Sequence, residues 1–170
     1  MKKILILGLI IIAGFIAALI IQRDKKPLAT ISPRQAVEFR LKDYNGNEVA
    51  LADFHGRNVV VNSWASWCPF CKKELPDFAS VKKEFGDQIA IVAIDRGESL
   101  EVAKRYSDEL GITNDLIFLL DPDDSFYQSI AGFSMPETIF VDKDGLIRDH
   151  KRGPMDREEF RRRIQQAFGL

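Results

Sequence analysis

A chain of 170 residues fits one domain plus an appendage, and its net charge of −1 argues against nucleic acid or an acidic polymer as partner. The charged fraction of 29% and hydrophobic fraction of 46% are those of a globular protein. Two cysteines are too few for a disulfide scaffold, and their C-x-x-C spacing reads instead as a redox site or half a metal site.

Residues 4–21 are uncharged and apolar, about 27 Å long as a helix, which is enough to cross a bilayer. Lys2 and Lys3 precede this stretch, and Arg23, Lys25 and Lys26 follow it. A cleaved signal peptide is the rival, but its apolar core is usually shorter, and no small-x-small cleavage site closes this one. No cysteine lies near it, so a lipoprotein anchor is excluded. The expectation is a membrane anchor over residues 1–22. Its basic flanks are alike and leave the orientation open. Residues 23–36 are polar, carry Pro27 and Pro33, and read as a tether; residues 37–170 form the domain.

The domain opens with a hairpin over 37–42 and 48–51, turned by Asn45-Gly46-Asn47. A β-branched strand over 59–64 feeds the C-x-x-C. Beyond it Leu75, Phe78, Val81 and Phe85 recur at helical spacing to about residue 85. The unbroken apolar run over 89–95 predicts a strand covered on both faces. Ser99 caps a helix to residue 110, with Leu100, Ala103, Tyr106 and Leu110 on one face. A strand over 116–121, a short helix near 124–131 and a hairpin over 137–142 and 146–151 follow. Asp156 and Glu159 make a capping-box pattern for a last helix to about residue 168. Strands alternating with helices call for right-handed crossovers, so an α/β fold with a mainly parallel centre is expected. The terminal hairpin adds antiparallel pairing.

Residues 59–76 read V-V-V-N-S-W-A-S-W-C-P-F-C-K-K-E-L-P. This is a buried strand, a turn, and a helix whose first turn holds Cys68 and Cys71. Unpaired N–H groups and the positive end of the macrodipole stabilise an anion there, and the thiolate is the nucleophile of disulfide exchange. Pro69 suits the first helical position. Cys71 lies one turn on, close enough to close a disulfide or resolve a mixed one. Cys68 is expected to be the exposed attacker and Cys71 the buried partner. A zinc site needs two more ligands, and only His55 and His150 remain, in no ligand-like spacing. Haem attachment needs a histidine where Lys72 stands. No metal or cofactor is expected. Val61, Ala65 and Cys68 do not spell the P-x-x-x-T-x-x-C of a peroxiredoxin.

The stretch W-A-S-W-C-P-F-C-K-K-E-L-P resembles thioredoxin-fold proteins of the membrane-tethered, DsbE-like ResA/TlpA/CcmG group. The similarity runs over roughly residues 37–168 and includes G-E-S at 97–99 and M-P-E-T-I-F-V-D-K-D-G at 135–145. The resemblance implies a thioredoxin-like α/β fold, with one extra strand–helix unit inserted between Cys71 and Pro136. It also implies an extracytoplasmic, membrane-anchored thiol–disulfide oxidoreductase. Its substrates would be disulfide-containing proteins, with apocytochrome c as one implied case, and its electrons would come from a thiol-type membrane donor. Two other readings stay open: an oxidase that inserts disulfides, and a tethered binding module whose disulfide is only structural.

Pro136 resembles the cis-proline of this fold, so Met135 would face the cysteines and offer backbone atoms to an extended substrate. An acidic residue at the place of Glu74 is linked in the group to proton handling by the buried thiol; the other reading is a solvated carboxylate paired with Lys72 or Lys73. Asn62 stands where thioredoxin keeps a buried aspartate, which leaves the proton to Glu74 or water. Ser63 stands where the group has an aromatic residue. Pro76 resembles a kink proline. Trp67 either covers the thiolate and contacts a partner or simply packs, and Trp64 belongs to the core. Glu137 and Thr138 copy the P-E-T of CcmG-like proteins. His55 and His150 read as surface histidines.

Overall fold

The structure, a computed structural model, describes residues 34–170. The expected anchor and most of the expected tether lie outside the described residues. Among the described residues no helix is long and apolar enough to cross a membrane.

The strands are β1 (Arg34–Gln35), β2 (Arg40–Asp43), β3 (Glu48–Ala50), β4 (Asn58–Trp64), β5 (Ile89–Arg96), β6 (Ile117–Asp121), β7 (Glu137–Val141) and β8 (Leu146–Arg152). The helices are α1 (Cys71–Phe85), α2 (Leu100–Glu109), α3 (Ser125–Ser129) and α4 (Arg157–Phe168). One sheet holds the strands in the order β1-β8-β7-β4-β5-β6-β2-β3. β4, β5 and β6 run parallel, joined by crossovers that carry α1 and α2. β7 pairs antiparallel with β4 on one side, and β2 pairs antiparallel with β6 on the other. This is the expected mixed sheet with a parallel centre.

Side chains alternate across β4. Val60, Trp64, Leu75, Phe78, Phe140, Phe160 and Ile164 belong to one apolar layer. Val59, Val61, Phe39, Val92, Ile94, Phe126 and Ile139 belong to the other. Asn62 therefore points to the same side as Val60 and Trp64, the side on which α1 packs. Phe78 of α1 stacks on Phe160 of α4 with ring centroids 3.8 Å apart.

Four expectations need correction. Arg34 and Gln35, the end of the expected tether, pair with Ile147 and Leu146 as an edge strand. The first hairpin strand begins at Arg40 rather than residue 37; Phe39 before it is buried, edge-on to Phe126. Leu100 is exposed, because it is the first residue of α2, directly after the Ser99 cap, and the buried face is carried by Ala103 and Ser107. Asp156 does cap α4 by accepting from the Glu159 N–H, but the Glu159 carboxylate turns to Arg163 and Lys151 instead of back to the cap.

Candidate active site

β4 delivers the chain to Trp64, and residues 65–70 turn it into α1. The Cys68 N–H donates to the Ala65 carbonyl at 3.1 Å, and the Cys68 carbonyl accepts from the Lys72 N–H at 3.4 Å. The Cys68 Sγ accepts the Cys71 N–H at 3.1 Å. Cys68 thus precedes the helix, whose first residue is Cys71, whereas the sequence places it in the first turn. The consequence is the same: a backbone N–H of the helix start points at this sulfur and stabilises negative charge on it. Cys68 and Cys71 are joined as a disulfide, with Cα atoms 5.3 Å apart.

The expected exposure of Cys68 is not found. Cys68 is 2% exposed and Cys71 is fully buried, because the bond ties Cys68 to the first, core-facing residue of α1. What reaches solvent are the flanking aromatics, Trp67 and Phe70. Trp64 is core, as expected, stacked on Tyr106 at 5.4 Å.

Glu74 lies one turn after Cys71 and is 1% exposed. One carboxylate oxygen accepts Asn62 Nδ2 at 2.9 Å, and the other accepts the Met155 N–H at 3.2 Å. The reading as a solvated carboxylate paired with Lys72 or Lys73 is thereby excluded. Burial pushes its pKa up to about 8, and the bonds from Met155 and Asn62, with Lys151 nearby, offset only part of that. Asn62, buried in place of an aspartate, also donates to Thr138 Oγ1 at 3.0 Å, so it orients Glu74 and links it to β7.

The Met135–Pro136 bond is cis. Met135 is half-buried and packs against the apolar cluster that includes both cysteines. The Pro136 carbonyl accepts the Gly153 N–H at 2.9 Å. Glu137, fully buried, holds the loop ahead of the proline: one oxygen accepts the N–H groups of Phe133 at 2.9 Å and Ser134 at 3.2 Å. The other oxygen is bonded to His150 Nε2 at 2.6 Å and Arg152 Nε at 3.1 Å. Burial alone would raise the Glu137 pKa; the Phe133 and Ser134 N–H groups and His150 outweigh it and hold the carboxyl below its ordinary range. His150 is therefore not a plain surface histidine, while His55 is exposed.

A further carboxylate pair was not legible. Glu98, inside the G-E-S motif, accepts both the N–H and the hydroxyl of Ser66 at 2.6 Å, pinning the turn two residues before Cys68. The Glu98 N–H in turn donates to Asp95 Oδ1 at 3.0 Å. Asp95 is fully buried, and burial together with the neighbouring Glu98 carboxyl raises its pKa. The one signal in the sequence is that Asp95 ends an otherwise apolar run. Among the described residues no three His, Cys, Asp or Glu side chains gather as a metal ion would require.

The AhpC/TSA family profile matches residues 33–150. The thioredoxin-like protein YneN of Bacillus subtilis is 30% identical over 142 residues, covering 83% of each chain. The thiol-disulfide oxidoreductase ResA of Geobacillus kaustophilus is 27% identical over 131 residues, covering 76% of this chain and 74% of its own. The crystal structure of a thiol:disulfide interchange protein of the thioredoxin family from Chlorobium tepidum superposes with a TM-score of 0.71 at 25% identity. It covers 82% of this chain and 99% of that one.

Proposed function

The chain belongs to the AhpC/TSA family as a thioredoxin-like thiol–disulfide oxidoreductase, and from that premise we propose that it reduces disulfides in protein substrates. The observation that carries the reading is the asymmetry of the disulfide. The Cys68 sulfur receives a helix N–H, whereas Cys71 is fully buried one turn before a carboxyl of pKa about 8.

In the reduced state the Cys68 thiolate attacks one sulfur of the substrate disulfide. A Cys68–substrate disulfide forms, and the other substrate sulfur leaves as a thiolate that takes a proton from solvent. Glu74 takes the Cys71 proton when it is ionised, a fraction that grows as pH rises toward 8, and the new thiolate attacks the Cys68 sulfur. The second substrate sulfur departs as a thiolate that takes a proton from solvent, and the Cys68–Cys71 disulfide remains. Two electrons have passed to the substrate, which ends as two thiols. Burial thus brings the Glu74 carboxyl close to the range of a free thiol, about 8.5, rather than that of a free carboxylate. A thiol-type donor must then return two electrons to Cys68–Cys71.

Residues 1–22 serve in this reading as a single-pass anchor, with the catalytic domain on the extracytoplasmic side, where disulfide exchange is at home. The resemblance to the ResA/TlpA/CcmG group supports a role in keeping apocytochrome c cysteines reduced for haem attachment. The absence of a peroxiredoxin pattern around Cys68 gives no support to a peroxidase.

The test is trapping. Cys71→Ser should accumulate a covalent, reductant-sensitive complex with a substrate through Cys68, seen as a shifted band on a non-reducing gel. Cys68→Ser should accumulate none. Equal trapping by Cys68→Ser would reverse the two roles.

A further inference from the structure

Tyr127, on the short helix α3, is buried, and its neighbours fix both its ring and its hydroxyl. The Arg96 guanidinium lies 3.4 Å from the ring centroid. Arg96 ends β5 and is itself held by Asp124, Nε on Oδ1 at 2.7 Å and Nη2 on Oδ2 at 2.5 Å, a two-pronged pair largely out of water. Gly132 lies against the same ring. A Cβ there would come within 2.4 Å of it, and a ring held by Arg96 is not free to give way. The Tyr127 hydroxyl donates to the Ser134 carbonyl at 3.0 Å.

A buried hydroxyl needs a partner, and the carbonyl this one takes lies directly before Met135. The Ser134 carbonyl shares a trans peptide plane with the Met135 N–H, so the two groups point in opposite directions. The hydroxyl that takes the carbonyl therefore also sets where the Met135 N–H points. The N–H groups of Phe133 and Ser134 are fixed separately, by the Glu137 carboxylate. The Met135 N–H itself has no hydrogen-bond partner among the described residues, while the Met135 side chain packs on the cluster that holds both cysteines. A main-chain donor left unpaired beside the disulfide serves an extended chain only if it is aimed well, because hydrogen bonds weaken steeply as they bend.

We propose that Tyr127 and Arg96 are positioning residues for exchange with polypeptide disulfides. Tyr127, by taking the Ser134 carbonyl, aims the Met135 N–H at the substrate main chain, and Arg96 holds the ring in the orientation that does so. This rests on the reductase reading and ties both residues to one class of substrate. A small disulfide with no main chain gains nothing from them.

The test uses the full chain, reduced beforehand, and second-order rate constants for two disulfides. One is a synthetic peptide closed by an intramolecular disulfide; the other is hydroxyethyl disulfide, which has no peptide group. Tyr127→Phe keeps the ring and loses one hydrogen bond, so it should slow the peptide about 3- to 10-fold and leave the small disulfide unchanged. Arg96→Gln should show the same split, and Arg96→Lys should keep most of the peptide rate. Adding Arg96→Gln to Tyr127→Phe should slow the peptide little further, because both act through one hydroxyl. A peptide rate unchanged in Tyr127→Phe, equal losses toward both disulfides, or losses that multiply in the double variant would overturn the proposal. So would an unsubstituted protein that reduces the small disulfide and leaves the peptide intact. If it acts on neither, the reductase reading fails and takes this proposal with it.

Discussion

Glu74 and Glu137 are both buried, yet they titrate in opposite directions, and their hydrogen-bond partners explain the difference. Glu74 receives only two neutral donors, the Asn62 amide and the Met155 N–H, so burial prevails and the carboxyl holds its proton to about pH 8. Glu137 has two backbone N–H groups, His150 and Arg152, and stays ionised below the ordinary range. Glu74→Gln keeps the shape and loses the titration. Stopped-flow exchange with a model disulfide should slow by about 10- to 100-fold at pH 8 and above, where Glu74 is ionised, slow less at pH 7, and lose the inflection near pH 8. An unchanged pH profile would remove Glu74 from proton transfer. The place of Glu74, three residues after Cys71, was legible because helical spacing is local. Its partners were not: Met155 is distant in sequence, and nothing in the chain's pattern says that Asn62 faces α1 rather than the other layer. The bonds of Glu98 to Ser66 and of Glu137 to His150 escaped for the same reason, since each joins separate strands and loops.

Among the elements, β4 was readable nearly to the residue, as was the end of α1, although α1 starts at Cys71 and not ahead of Cys68. An apolar run has no place but a covered strand, and apolar positions at helical spacing mark one packed helix face. β1 was not readable, because two residues carry no periodicity and become a strand only through pairing with β8. Leu100 misled in the opposite way. Its spacing matched the buried face, but helical phase says nothing of where a helix starts relative to the sheet. α1 is held against the sheet partly by α4 through the Phe78–Phe160 stack. Phe160→Ala should cost about 3–5 kcal/mol in equilibrium urea unfolding. A loss below about 1 kcal/mol would mean that α4 contributes little to holding the active-site helix.

For the whole molecule, the raised pKa values of Glu74 and Asp95 set the pH dependence of stability. Both carboxyls bind their proton more tightly in the folded chain than in the unfolded one. Between 4.5, the ordinary value for glutamate, and about 8 for Glu74, the native state holds the extra proton. Stability therefore falls as pH rises through that window, by up to about 1.4 kcal/mol per pH unit for each such group. Glu137, with its lowered pKa, acts in the other sense and costs stability only in acid. The melting temperature of the oxidised protein should be higher near pH 5 than near pH 8, and Glu74→Gln should flatten the slope. A melting temperature that climbs over the same range would contradict these assignments.

The direction of electron flow depends on how strongly the fold favours the Cys68 thiolate. Strong oxidants of this fold stabilise their reduced form heavily. Here one backbone N–H, that of Cys71, reaches the Cys68 sulfur. The measurement to make is the reduction potential of the Cys68–Cys71 pair in the full chain, equilibrated in a dithiol redox buffer. A value at or below about −220 mV is predicted and places the protein among the reductants. A value near about −120 mV would make it a disulfide-inserting oxidase, and the lack of any reversible transition would contradict the exchange mechanism itself.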